Sequence, residues 1–302
     1  MINPMSESNF LQYMQSLDGP AIHFEELKGN NGDRLIRMGL AEVLRKTGLH
    51  ANRTARDADL ILINGGGAMN DLWPEGAAQV MEALIKAAPD KDVVVGPSSY
   101  WFRTLDFPAI LRKSSGRITL FCRERRSEEF LRSLELPPRV TVMLSQDLAF
   151  ELRDSEFIRE QRALARDETV LCAMRKDREG EAGMLARTRA SWLPAPIRKP
   201  LSCLRDRLVA NRSADRLSPI LDSISPRPTT SEIVYRDISV SLNFDGFCRE
   251  VRNSRAVITN RLHVGIFGSL LGKRVHLLRG NYHKIDGVYE YSLSGNPAVS
   301  LH

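Results

Sequence analysis

The sequence predicts an α/β protein built as two Rossmann-like domains facing a cleft. Three observations lead there. Short runs rich in Val, Ile and Leu, at 59–64, 93–96, 118–122 and 140–144, alternate with segments of helical period, as parallel strands joined by crossover helices do. The alternation resumes at Thr169 to Met174, after a charged stretch from Arg153 to Asp167 that reads as a connecting helix or linker. Finally, Ala256 to Leu278 reads as strand, sharp turn, helix and strand, a βαβ unit that requires parallel strands. With 302 residues there is room for two domains, placed at 1–152 and 153–302.

In the first half, Ala21 to Glu25 suits a short strand. Gly29, Asn30, Asn31 and Gly32 make a loop, and Asp33 is a candidate helix cap. Leu35, Ile36, Leu40, Val43 and Leu44 give the next helix an apolar side, and Gly48 ends it. The strand at 59–64 runs into Gly65, Gly66 and Gly67, which let the backbone turn sharply and approach a ligand. No Gly-Lys-Ser/Thr follows, and the G-x-G-x-x-G spacing is absent, so neither a P-loop nor a dinucleotide fingerprint is present. Ala77, Val80, Met81, Leu84 and Ile85 mark a helix, Val93 to Gly96 a strand, and Phe107 to Lys113 another helix. The strand Ile118 to Cys122 leads into Arg123, Glu124 and Ser127, which by charge alone read as a helix start on the surface. Val140 to Leu144 closes this half, with Asp147 just beyond.

In the second half, the strand Thr169 to Met174 delivers Arg175 past its carboxyl end, where open α/β sheets bind ligands. Residues 178–236 are basic and broken by prolines, and read as a loop-rich insertion in which Trp192, Leu193 and Ile197 form an apolar patch. Ile238 to Leu242 alternates as a strand would, and Asp245 to Asn253 reads as a helix.

Chemistry concentrates in the last crossover. Thr259 and Asn260 stand where a helix cap is needed. Leu262, Ile266, Phe267, Leu270 and Leu271 line one side of the helix, and Gly272 and Lys273 stop it. Arg261 and His263 fall in its first turn, where unpaired N–H groups and the positive end of the dipole favour an anion. A guanidinium fork beside a proton-carrying imidazole points to a phosphate or carboxylate ligand. That reading requires both side chains to face a groove, because sealed in the core they could not serve. Gly265 and Gly268 each cost about 1 kcal/mol against alanine in a helix interior, which close packing on the sheet would offset.

TNRLHVGIFGSLLGKRVHLL, followed by NYHKIDGVYEYSL, resembles the C-terminal signature of the polysaccharide pyruvyl transferase family, in particular its bacterial exopolysaccharide branch. The run NNGD resembles the family's Asn-x-Gly-Asp motif, and GGGAMNDLW its GGG motif with a following aspartate, here Asp71. Arg123, Glu124 and Ser127 correspond to an Arg-Glu pair and serine of the family, and Asp147 to an aspartate where its two halves meet. Arg175 corresponds to an arginine that helps bind phosphoenolpyruvate, and His283 and Lys284 to a Tyr-His-Lys run. The resemblance implies a GT-B-like fold and transfer of pyruvate from phosphoenolpyruvate to a sugar of an exopolysaccharide or its lipid-linked precursor. A pyruvate ketal forms and phosphate is released. The first half would take the acceptor and the second half the donor.

By residue type His263 is the best general acid for protonating the donor's methylene carbon. Arg261 and Arg175 suit the donor's carboxylate and phosphate. Asn260, Leu262, Lys284, Asn31, Asp33, Gly66, Gly67, Arg123 and Asp147 complete the expected substrate-binding set, with Asp33 or Asp147 as the base.

Composition bounds these readings. The net charge of +6 suits anionic ligands. The four cysteines form no C-x-x-C pair, so neither a zinc knuckle nor a disulfide framework is indicated and a reducing cytoplasm is the default. No histidine and carboxylate cluster has ligand spacing, so no metal is expected, and no cofactor beyond phosphoenolpyruvate as donor substrate. MINPMSESNF lacks the pattern of a signal peptide and no apolar run approaches about 20 residues, which fits a cytoplasmic enzyme with a peripheral contact at the inner face of the membrane. Two rivals remain. One is a nucleotide-sugar glycosyltransferase of GT-B type. The other is a non-catalytic anion-binding protein, although no nucleic-acid-binding motif is present and no nucleic-acid partner is expected.

Overall fold

The computed structural model describes residues 8–27, 29–71, 76–175, 217–280 and 283–302. The chain divides into two compact units, Met1–Arg159 with Gly287–Asn296, and Glu160–Asp286 with Pro297–His302. Each is built on one five-stranded parallel sheet, so both halves are α/β as expected.

The first sheet holds β1 (Ile22–Glu25), β2 (Leu60–Ile63), β3 (Asp92–Ser98), β4 (Ile118–Cys122) and β5 (Val140–Leu144) in sequential order. Every residue of β2 and β4 is buried, because helices cover both faces of the sheet. The helix Asn31–Thr47 and an unforeseen helix, Asn9–Gln15, pack over Leu60, Leu62, Val94 and Phe121. The helices Ala77–Ala87, Phe107–Leu111 and Arg125–Arg132 cover Ile61, Ile63, Val93, Val95, Ile118 and Leu120 on the other face. Because the strands run in sequential order, the crossover from β1 to β2 has the opposite hand to the three that follow, a departure from the usual right-handed rule. The 3-10 turn Leu148–Leu152 holds the helix Asn31–Thr47 on its face, and Gly39 permits the contact: a Cβ there would collide with the Leu148 carbonyl.

The second sheet holds β6 (Thr169–Ala173), β7 (Ile233–Tyr235), β8 (Ser254–Thr259), β9 (Arg274–Leu277) and β10 (Val299–Leu301), ordered β10-β9-β8-β6-β7. The strand order therefore reverses between β6 and β8. A helical stretch at 217–223 covers Val170, Cys172, Ala256 and Ile258, and the helix Leu262–Leu270 lies over the opposite face. This helix is buried all round rather than on one side; only His263 and Ser269 are half-buried. Its glycines face the sheet. A Cβ on Gly268 would come within 3.1 Å of Val275 Cγ2, and one on Gly265 would collide with Leu277. Gly272, at φ 76°, closes the helix, and Arg162 donates from Nε and Nη2 to the Leu270 carbonyl at 2.9 and 2.6 Å.

One local expectation is corrected. Ile238 to Leu242 is not a strand but begins with a one-turn helix, Ile238–Ser241. Ile238 and Leu242 lie four apart, so the same alternation also fits one face of a helix turn. The strand lies earlier, as β7, at the edge of the sheet and inside the stretch that reads as insertion. Most of that stretch, with Trp192, Leu193 and Ile197, falls outside the described residues.

Candidate active site at the strand-order reversal of the second sheet

Where strand order reverses in an open α/β sheet, the loops leaving the two strands diverge and open a crevice at their carboxyl ends. Here the two strands are β6 and β8, and their exits carry Arg175 and Asn260 to His263. Two side chains lash these exits together. Thr259 Oγ1 donates to the Ala173 carbonyl at 2.7 Å and accepts the Arg261 N–H at 2.9 Å. Asn260 Oδ1 accepts the Arg175 N–H at 2.6 Å. Thr259 and Asn260 were expected to cap the helix. They turn instead toward β6, and the helix starts from Arg261, in extended conformation, with no side-chain capping bond. Its amide end remains suited to an anion.

Arg261 departs from the expected open clamp. It is only 5% exposed, and its Nε and Nη2 donate to Asp237 Oδ1 and Oδ2 at 3.0 and 2.6 Å. A guanidinium this deeply buried requires a carboxylate partner, and Asp237, 24 residues upstream, supplies it. Leu262 is buried beside it, and His263 is half-buried on the same turn. Lys284 and His283 are half-buried at the start of the helix Lys284–Val288.

In the first unit the two loops singled out from sequence are neighbours. Asn30, not Asp33, is the cap of the helix Asn31–Thr47, with its side chain accepting the Gly32 N–H at 2.8 Å. Asp33 completes a capping box, Oδ2 accepting the Asn30 N–H at 2.8 Å. Asn31 and Gly32 therefore belong to the first helical turn rather than to a loop. Gly66, at φ 135°, lies against this helix: a Cβ on it would sit 3.1 Å from Ile36 Cδ1. Gly66 also exchanges backbone bonds with the exit of β3, to Pro97 and from Ser99, both at 3.0 Å, while Gly67 is half-buried. Asp71 accepts from the N–H groups of Arg103 and Thr104, each at 2.7 Å, and from the Thr104 hydroxyl. Burial acts to raise its pKa, but those hydrogen bonds outweigh it and hold the carboxyl below the ordinary value.

Arg123, Glu124 and Ser127 are not on the surface. All three are fully buried, as is Asp147. Arg123 donates from Nη1 to Asp147 Oδ2 at 2.7 Å and from Nε to Ser99 Oγ at 2.9 Å, while Asp147 Oδ1 caps the turn at Ala149. Glu124 accepts from Ser127, whose Oγ accepts the Tyr100 N–H at 2.7 Å. The expectation that Arg123 and Asp147 contact substrate is thus corrected in part. The pair is out of solvent reach, so Asp147 is also unsuited to act as the base. It ties the exits of β4 and β5 together.

A family model described as polysaccharide pyruvyl transferase matches residues 30–282, most of the chain. This chain belongs to the polysaccharide pyruvyl transferase family. No curated protein sequence matches it. Among solved structures, it is similar to a protein of uncharacterized function from Klebsiella pneumoniae subsp. pneumoniae NTUH-K2044, with a TM-score of 0.64 and 19% identity over 97% of this chain and 96% of that one. It also matches the UDP-GlcNAc 2-epimerase of Methanocaldococcus jannaschii, with a TM-score of 0.38 and 14% identity over 97% of this chain and 78% of that one.

Membership in the polysaccharide pyruvyl transferase family supports a pyruvyl transferase enzyme acting on a saccharide acceptor. The match spans Asn31, Arg123, Asp147, Arg175 and the whole segment from Asn260 to His263. Sequence reasoning about this pyruvyl transferase missed Asp237, and with it the state of Arg261. The one available signal was an aspartate two residues after a run of strand-forming residues, Ile233–Tyr235, within a stretch rich in proline and arginine. Burial pushes the Cys172 thiol up to about 12, which removes it as a nucleophile near neutrality. Among the described residues no group of three or more His, Cys, Asp or Glu could hold a metal ion, and no helix is long and apolar enough to cross a membrane.

Proposed function

We propose that this pyruvyl transferase takes phosphoenolpyruvate as its donor and forms a pyruvate ketal on a sugar of an exopolysaccharide or its lipid-linked precursor, releasing inorganic phosphate. The observation that carries the proposal is the position of His263, in the first turn of a helix with no side-chain cap, beside the β6 exit that bears Arg175. The donor brings a carboxylate and a phosphate. The helix end and Arg175 attract them, while Arg261, buried and paired with Asp237, supports the turn from behind. His263 donates a proton to the methylene carbon while a sugar hydroxyl attacks the adjacent carbon. The second hydroxyl then closes the ring as the C–O bond to phosphate breaks; of the two hydroxyl protons one leaves with the phosphate and the other returns to His263. Lys284, just beyond the matched residues, is assigned to the substrate by the resemblance of its His-Lys run alone, and the first unit to the saccharide by the same resemblance. No step of this chemistry requires a metal, so turnover unchanged by a chelator is the expected result. The reaction is assigned to the cytoplasm, at the inner membrane face where a lipid-linked acceptor would be met.

The test is phosphate release from phosphoenolpyruvate with an acceptor glycan, for the wild type, His263→Ala and Arg175→Ala. Loss of turnover in both variants is expected, and rates near wild type in both would remove the proposed site. A thermal-shift comparison of phosphoenolpyruvate with UDP, GDP and CMP discriminates further. Stabilisation by a nucleotide but not by phosphoenolpyruvate would assign the crevice to nucleotide-sugar chemistry instead.

A further inference from the structure

The edge of the second sheet carries a cluster that the proposed reaction does not use. Ser300 on β10 is paired in register with His276 on β9, so their side chains leave the same face of the sheet. His302, two residues beyond Ser300, shares that face, because side chains alternate along an extended chain. Its backbone is held in the ladder: the His302 N–H donates to the Leu277 carbonyl at 2.8 Å, and its main-chain oxygen accepts the Arg279 N–H at 3.0 Å. His276 Nδ1, His302 Nε2 and Ser300 Oγ then converge. Nδ1 lies 3.1 Å from Nε2, and Oγ lies 3.0 Å from Nδ1 and 2.9 Å from Nε2.

Protons alone cannot satisfy this triangle. An imidazole nitrogen either donates or accepts, never both, so only the hydroxyl can do each. At most two of the three contacts then have a proton of their own. Three lone pairs directed at a common centre are what a cation satisfies instead. Donors at about 2.1 Å from a metal ion and at right angles to one another lie about 3.0 Å apart, which matches this spacing. The His276 ring can present its Nδ1 lone pair at no loss. Its Nε2 is buried with no hydrogen-bond partner among the described residues, so moving the ring proton there breaks no bond.

We propose that His276, His302 and Ser300 form a metal site at the β9–β10 edge, which takes a divalent first-row transition ion and leaves its remaining positions to water. Two imidazoles and one neutral oxygen suit such an ion, whereas Mg²⁺ and Ca²⁺ require oxygen donors throughout. Solvent reaches the site, because Ser300 is half-buried and His302 exposed. The buried Nε2 of His276 lacks the partner that ordinarily orients a ligating ring, so the affinity is modest. The two histidines are 26 positions apart and the third donor is a hydroxyl, so neither local spacing nor a count of histidines and carboxylates reveals the set. The ion would clip the edge strand β10 to β9. Strand order places it outside the β6–β8 reversal, so it takes no part in the pyruvyl transfer proposed above.

The experiment is calorimetric titration of Co²⁺ into the untagged full chain, stripped of metal beforehand with a chelator that is then removed. The wild type is compared with His276→Gln, His302→Ala and His50→Ala, and thermal midpoints are recorded with and without the ion. A single ion per chain is expected for the wild type. His276→Gln and His302→Ala should each weaken binding by at least about tenfold, the least that loss of even an orienting partner costs a metal site. His50→Ala, which removes an exposed ring in the first unit, should bind as the wild type does. Co²⁺ should raise the thermal midpoint of the wild type but not that of His302→Ala, since an ion stabilises only the fold that binds it. Should His276→Gln not fold, His302→Ala alters only an exposed ring and carries the comparison. A wild type that takes up no Co²⁺, or uptake undiminished by either of the two substitutions at the site, would overturn the inference.

Discussion

Asn260 Oδ1 accepts a 2.6 Å hydrogen bond from the backbone N–H of Arg175, joining two residues 85 positions apart at the strand-order reversal of the second sheet. The bond sets the spacing of the β6 and β8 exits by a single side chain. Asn260→Ala removes the acceptor and leaves a partly buried N–H, for a cost of about 1–2 kcal/mol in stability. Asn260→Asp keeps an acceptor at the same place. Urea unfolding of the two variants checks the first effect, and titration with phosphoenolpyruvate checks whether Arg175 needs the lash. Equal stability of Asn260→Ala and wild type would count against it.

The Arg123–Asp147 pair makes a strong stability prediction, because both side chains are fully buried. Asp147→Ala strands a guanidinium in the interior, and loss of one partner of such a pair costs about 3–5 kcal/mol. A double replacement, Arg123→Met with Asp147→Leu, removes both charges and should recover much of that loss. Chemical denaturation of the three proteins provides the comparison. A small loss for Asp147→Ala would mean that the interior relaxes to let water reach Arg123.

Gly39→Ala sets two effects against each other. Helix propensity favours alanine by about 1 kcal/mol in a helix interior. The new Cβ, however, would collide with the Leu148 carbonyl, a backbone atom held by the Leu148–Leu152 turn. Overpacking against a fixed group costs about 1–3 kcal/mol, so net destabilisation is expected. A thermal midpoint equal to or above that of wild type would show that the turn can yield.

His276 predicts an acid-side loss of stability. It is 7% exposed, its Nδ1 lies 3.0 Å from Ser300 Oγ and 3.1 Å from His302 Nε2, and burial, with His302 and Arg274 adding, pushes it down to about 4. Above the ordinary value of 6.5 both folded and unfolded chains carry a neutral ring. As pH falls from there toward about 4, the unfolded chain binds a proton that the folded one does not. Stability therefore declines across that window, by up to about 1.4 kcal/mol per pH unit. His276→Gln should flatten the decline in urea midpoints between pH 6.5 and 4.5, and an unchanged slope would point to other groups.

Much of the architecture was legible in local pattern. The apolar runs became β2, β4, β5 and β8, and the βαβ unit ending at Leu277 formed with its glycines against the sheet. Local pattern failed where two structures share a period, as at Ile238–Ser241, and where an element is too short to show one, as in β7 and β10. It also failed at Arg123, Glu124 and Ser127. Charged residues next to a strand look solvated until their partners, Ser99, Tyr100 and Asp147, are brought around them.

By itself the amino-acid sequence determined the two α/β halves, the first-turn position of His263 and the tight packing behind Gly265 and Gly268, since each follows from spacing along a single element. Only the tertiary structure decided which strands are neighbours, that Asn260 spans to Arg175, and that Asp237 holds Arg261. Spacing constrains side chains a few residues apart, whereas a hydrogen bond across 85 or 24 positions exists only once the sheet has set the strand order.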